Sequence, residues 1–113
     1  MRGQSSGSVN MATILQQSDE AVEQVAAVLS EFEKAHDSAE CVAYRYNPAA
    51  IRVRIVAAVF HGRSRNERHD YAMQFLRSLP DDVLAQVSIL LCLEPGETAL
   101  LDSEFHDAAQ FRP

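Results

Sequence analysis

Between residues 51 and 60 the chain alternates: Ile51, Val53, Ile55, Ala57 and Val59 fall on one side, with Arg52 and Arg54 on the other. A period of two is that of a half-buried strand, and the pattern predicts one that ends near Phe60. Gly62 breaks the pattern. Ser64, followed three residues later by Glu67, then has the form of a capping box, in which the two side chains satisfy backbone N–H groups that a first helical turn leaves unpaired. A helix is expected from there to about Leu79, burying Ala72, Phe75, Leu76 and Leu79.

Upstream, Val22, Val25, Leu29 and Phe32 recur at three- and four-residue steps while Glu23, Gln24, Glu31 and Lys34 turn outward, which predicts an amphipathic helix over about residues 18 to 36. Ser18 is its expected N-cap, with Asp19 and Glu20 in the first turn, where carboxylates meet the positive end of the helix dipole. Residues 41 to 46 are rich in strand formers, with Val42, Tyr44 and Tyr46 on one face and Cys41 and Ala43 on the other. Asn47-Pro48-Ala49-Ala50 reads as a turn, Pro48 being preset for its second position, so the first two strands make an antiparallel hairpin.

Downstream, Pro80-Asp81-Asp82 restarts a short helical turn through Val83 and Leu84, and residues 87 to 93, VSILLCL, are almost continuously apolar. Such a run predicts a strand buried on both faces or central in its sheet. Glu94-Pro95-Gly96-Glu97 stops it, and Leu100, Leu101, Phe105 and Ala108 outline a weaker amphipathic helix. The expected order is α-β-β-α-(α)-β-α. A strand, a helical crossover and a further strand form a right-handed unit, which makes the second and third strands parallel. The fold class is α+β: a small three-stranded mixed sheet with helices packed on one face.

Length and composition narrow this further. At 113 residues the chain suits one domain with one core, expected over residues 13 to 113. Residues 1 to 12 are expected to be a disordered leader, since MRGQSSGSVN has neither the apolar core of a signal peptide nor the pattern of a transit peptide; Met11 would serve as an alternative start. No window approaches the roughly 18 apolar residues of a membrane span. Only Cys41 and Cys92 occur, so a reducing cytoplasm is the expected setting and both are read as small buried hydrophobes.

The net charge of −6 is unevenly spread. Residues 1 to 40 hold two basic and seven acidic groups, residues 41 to 68 six basic and one acidic, and residues 69 to 113 two basic and eight acidic. The middle segment is therefore locally positive, and it contains the densest chemistry of the chain: His61, Arg63, Arg65, Arg68 and His69, with Arg52 and Arg54 on the preceding strand. Such a patch suits an acidic protein partner or a short run of phosphates. The G-x-x-G clamp of a KH motif is missing, because Arg65 stands three residues after Gly62. No H-E-x-x-H or C-x-x-C occurs, and no G-x-S-x-G surrounds Ser64 or Ser88, so neither a preformed metal site nor an enzyme is expected. His69 is expected to bond a nearby backbone carbonyl and hold the loop between Phe60 and Gly62.

The spacing V-x-x-x-F-x-G-x-x-x-x-x-R-H, here Val56, Phe60, Gly62, Arg68 and His69, followed by a helix, an apolar strand and a Pro/Glu turn, resembles the BolA family over about residues 18 to 105. The resemblance implies a class II KH-like fold and a non-catalytic protein that partners monothiol glutaredoxins carrying an iron–sulfur cluster, in cluster trafficking or iron regulation. Some members of that family also bind DNA as transcriptional regulators. Three positions depart from the family pattern. Asp70 replaces a basic residue after His69, the loop between the first two strands is cut to Asn47-Pro48-Ala49-Ala50 without a Cys or His, and Ser88 stands where the third strand usually opens with His. The family's usual cluster ligands are thus missing, and no cofactor of the chain's own is expected; His61, His69 and Cys92 are the substitutes to consider for a shared cluster. The alternative reading is a KH-like nucleic-acid binder using Arg52, Arg54, Arg63, Arg65 and Arg68. A third is a structural subunit that pairs through its last strand, if that strand lies at an edge.

Overall fold

The computed structural model describes residues 12–15 and 19–97. Its elements are β1 (Thr13–Leu15), α1 (Glu20–Ala35), β2 (Glu40–Asn47), β3 (Ala50–Val56), a 3-10 turn (Ala58–Phe60), α2 (Arg65–Leu76), α3 (Asp81–Leu84) and β4 (Val87–Leu93). The α+β class and the α-β-β-α-β order are those expected. The sheet runs β1-β2-β3-β4, the three expected strands being extended by the three-residue β1, which pairs parallel to β2. Residues 1 to 11 and the expected C-terminal helix lie outside the described residues, whereas Ala12, placed at the end of the expected leader, is buried and donates its N–H to Ser30 Oγ at 2.9 Å.

The hairpin forms as its turn residues dictate: β2 and β3 pair antiparallel, and Asn47 Oδ1 accepts from Ala49 N at 2.8 Å to close the turn. β3 and β4 pair parallel, as a helical crossover between them requires. Alternation then sorts the sheet residues. Cys41, Ala43, Ile51, Val53 and Ile55 point into the core beneath α1 and α2, and Val42, Tyr44, Arg52, Arg54 and Leu91 lie on the opposite face.

Four local expectations shift. The N-cap of α1 is Asp19, whose Oδ1 accepts from Val22 N at 2.9 Å, rather than Ser18. The strand expected to reach Phe60 ends at Val56, because Ala57 N donates to Leu93 O and the next three residues wind into a 3-10 turn that drops Phe60 into the core. The period of two continues through Ala57 and Val59, so apolarity alone could not mark that end. α2 stops at Leu76 with turns beyond it. β4, expected to be buried on both faces or central, is among the described residues the edge strand of the sheet, and most of its side chains are half-buried.

The core is centred on Phe32, Phe60, Leu29, Ile51, Ile55 and Leu76, all essentially without solvent exposure. Aromatic rings join α1 to α2. Phe32 meets Phe75 edge-on at 5.0 Å and stacks on His36 at 4.1 Å, and Tyr71 stands edge-on to His36 at 5.5 Å. Such pairs contribute roughly 0.5–1.5 kcal/mol each beyond the area they bury. Phe32 is thus the residue whose truncation to Ala would cost most, about 3–5 kcal/mol.

Candidate functional site

The site is built where β3 gives way to α2. Gly62 adopts φ +77, a left-handed conformation that side chains disfavour, and this turns the chain from the buried Phe60 toward the helix start. The capping box expected there is present in full: Ser64 N donates to Glu67 Oε1 at 2.8 Å and Glu67 N to Ser64 Oγ at 3.2 Å. The first two turns of α2 are charged and largely exposed, while Ala72 and Leu76 in its second half are buried. One helix therefore anchors at its end and presents chemistry at its beginning.

Arg68 and His69, adjacent in sequence, have opposite fates. Arg68 keeps only 11% of its side chain exposed. Its Nε donates to Arg63 O at 3.0 Å, its Nη1 to Cys92 O at 3.2 Å and to Glu97 Oε1 at 2.6 Å, and its Nη2 pairs with Glu94 Oε2 at 3.3 Å. It ties the 60–65 loop, the start of α2 and the end of β4 into one piece. The carbonyl-holding role expected of His69 belongs to Arg68. His69 is exposed, makes no hydrogen bond among the described residues, and lines a hollow of about 170 Å³ with Met73, Leu84, Val87, Ser88 and Leu90. Ser88 thus shares a cavity wall with His69.

The remaining candidates divide. His61 is 82% exposed with its Nδ1 3.0 Å from Glu94 Oε1. Arg63 is exposed with its guanidinium over the Tyr71 ring at 4.7 Å, and Arg65, also exposed, lies close enough to Glu97 to favour its ionised form. Arg52 and Arg54 project from the sheet face turned away from the helices; Arg52 sits over the Tyr46 ring at 3.5 Å and donates to Tyr44 Oη at 3.2 Å. The seven candidates therefore form two groups, not one patch. Part of the positive charge is also consumed within the fold, Arg68 by the acidic turn after β4 and Arg45 by Asp19.

Three participants were missed by sequence reasoning. Glu94 and Glu97, which in the sequence mark only a strand stop, neutralise Arg68, and Glu94 also steadies His61; Glu97, bonded by the Glu94 N–H and by Arg68, is held below the usual carboxylate range. The only signal in the sequence was a pair of carboxylates three residues apart just after a strand. Tyr71 was the other, because its hydroxyl meets His36 Nε2 at 2.7 Å while His36 Nδ1 donates to Phe32 O at 2.9 Å. The latter bond makes Nδ1 the protonated nitrogen and Nε2 the acceptor from Tyr71 in the neutral ring.

The thiols are not poised for chemistry. Burial pushes Cys92 up to about 12 and Cys41 further, so neither supplies a thiolate near neutral pH. Among the described residues no three His, Cys, Asp or Glu side chains are grouped to hold a metal ion, and no helix is long and apolar enough to cross a membrane. Comparison with protein-family models, with curated proteins and with solved structures finds no match for this chain, so a functional reading rests on its fold and on the surface around His69.

Proposed function

We propose that this chain is a non-catalytic, BolA-like partner protein of the cytoplasm that docks a monothiol glutaredoxin, in iron–sulfur cluster trafficking or iron regulation. The observation that carries the reading is the division of labour within the Arg68-His69 pair. Arg68 is locked into the fold, and His69 is left exposed at the rim of a hollow bordered by β4, with Arg63, Arg65 and His61 on the adjoining loop and helix start. Exposed guanidinium groups beside an imidazole suit an acidic protein surface or the carboxylates of a bound peptide cofactor, which they grip through charge-assisted hydrogen bonds.

The donors present do not suit direct ligation of a shared cluster. Iron–sulfur irons take thiolates and imidazoles. Here the cavity offers one imidazole and the Ser88 hydroxyl, the 47–50 turn has no Cys or His, and Cys92 is a half-buried thiol that burial pushes up to about 12. Docking without ligation is the form of the family role that fits this chain. Titration into cluster-loaded monothiol glutaredoxin, followed by visible absorption and circular dichroism together with the mass of the complex, tests it. The expected result is a heterodimer with an unchanged cluster spectrum; absence of any complex rejects the proposal.

Nucleic-acid binding remains a second reading, favoured by the exposure of Arg63 and Arg65 at a helix start. With two exposed arginines there rather than five in one patch, the logarithm of affinity would fall with that of salt concentration by a slope of only about 2. A slope of 4 or more would need Arg52 and Arg54 as well.

A further inference from the structure

We infer that the C-terminal segment, residues 98 to 113, folds back over the sheet face opposite α1 and α2 and docks on Tyr44, Arg52, Arg54 and Leu91 as an acidic amphipathic helix. This goes beyond the glutaredoxin reading and does not rest on it.

The described helices all pack into the core on one side of the sheet, and Tyr44 clusters with Val42 and Leu91 on the other, beside Arg52 and Arg54. That second face is nonetheless shielded. Tyr44 keeps only 5% of its surface exposed, Arg52 and Arg54 are half-buried, and the Nε atom of each arginine is out of contact with solvent. Side chains stand roughly perpendicular to a sheet, so in-plane neighbours screen their flanks and leave their tips to whatever lies above. The shielding also has a direction. Tyr46, toward the hairpin turn, is 53% exposed, whereas the covered residues lie toward the other end of the sheet, where Leu93 ends β4 beside Val56.

Residues 98 to 113 leave from that covered end, after the turn closed by Glu97 N donating to Glu94 O at 3.0 Å. The reach is sufficient: from Val56 back to Arg52 is about 13 Å along the strand, and residues 101 to 112 as a helix would span about 18 Å. The chemistry is complementary. Leu101, Phe105 and Ala108, at steps of four and three, form one apolar stripe, with Asp102 and Glu104 on its two flanks. The segment holds three acidic residues and one basic one, and the face it would meet carries Arg52 and Arg54 at its centre, with Glu40 only at the margin opposite Val56. Carboxylates flanking the stripe suit guanidinium groups flanking Tyr44 and Leu91. Residues 1 to 11 could not serve in its place, since they contain no acidic residue and no such stripe.

Nuclear magnetic resonance of the full chain tests this. Nuclear Overhauser contacts are expected from the Phe105 ring to Tyr44 or Leu91, together with amide exchange over residues 101 to 112 slowed by about tenfold or more relative to an unstructured peptide. That protection should be the same at about 50 µM and about 500 µM, as a contact within one chain requires. Arg52→Glu with Arg54→Glu should remove most of it, and adding Asp102→Arg with Glu104→Arg should bring it back. Asp102→Lys with Glu104→Lys alone, outside the core, should also remove it and gives the same reading if the sheet variant fails to fold. Unprotected amides in the parent overturn the inference. So do protection that appears only at the higher concentration, which would put a second copy on this face, and protection that Asp102→Lys with Glu104→Lys leaves unchanged.

Discussion

The Arg68 guanidinium donates to the carbonyl oxygen of Cys92 across 3.2 Å, so the residue next to the exposed His69 is bonded into the sheet it faces. Removing it strips a charged donor from two carbonyls and two carboxylates together. Arg68→Ala is expected to cost about 2–3 kcal/mol in urea unfolding. Arg68→Lys should recover less than half of that, since one ammonium cannot reach the partners a planar fork reaches. His69→Ala should stay within about 0.5 kcal/mol of the parent, as exposed substitutions generally do. If the two alanine variants were equally destabilised, the division between them would be wrong.

Tyr71 joins α2 to α1 through His36, with Oη and Nε2 2.7 Å apart. Tyr71→Phe keeps the ring packing and removes only that bond, so a loss of about 1 kcal/mol is expected in the same measurement. A loss above 3 kcal/mol would mean that the ring itself moves.

Gly62 stands at φ +77 with nothing within 4 Å of where a Cβ would be. Gly62→Ala therefore meets backbone strain and no clash, and should cost about 1–2 kcal/mol. A neutral effect would show that the loop relaxes to a right-handed conformation.

Asp19 caps α1 and pairs with Arg45, whose Nε lies 2.9 Å from Oδ2; the Arg45 hydrogen bond, helped by the Val22 N–H, holds its carboxyl below the ordinary 3.8. A carboxyl so depressed stabilises the fold above its unfolded value and loses that stabilisation as pH falls through the folded one. Stability should therefore drop below about pH 4, and Asp19→Asn, which can still cap, should flatten that limb. Glu33 acts with the opposite sign. Burial raises its carboxyl although it accepts from Cys41 N at 2.8 Å, so its contribution is present below its unfolded value and fades as pH rises through the folded one. Glu33→Gln is expected to gain a fraction of a kcal/mol at neutral pH, measured as a rise in Tm.

Cys41 and Cys92 both pair with Ile55 from opposite sides, which separates them by two strand spacings, about 9.6 Å. That exceeds the reach of a disulfide. Both thiols should resist a thiol reagent at pH 8 in the native protein and react together on unfolding, and rapid native labelling of either would contradict the burial described above.

What the sequence made legible was local. Ser64 and Glu67 contact one another within a single turn, so their capping box could be read directly; Asn47-Pro48 and the Val22-Val25-Leu29-Phe32 spacing are equally short-range. The rest depended on partners far along the chain. VSILLCL is apolar enough for a central strand, and it is an edge because no other strand among the described residues lies beyond it. Arg68 and His69 carry similar chemistry in sequence, and their roles separated only when Glu94, Glu97 and the Cys92 carbonyl, 24 or more residues away, came to lie beside Arg68. Arg52 and Arg54 are close to the loop in number, yet strand alternation turns them to the other face of the sheet.

The most direct test of the docking account is a comparison of the parent protein, His69→Ala and Arg63→Ala/Arg65→Ala in calorimetric titration against cluster-loaded monothiol glutaredoxin. The account predicts a one-to-one complex for the parent and a loss of affinity of tenfold or more in both variants, about 1.4 kcal/mol each, with folding unchanged. Equal affinity for all three would place the contact elsewhere on the molecule and contradict it.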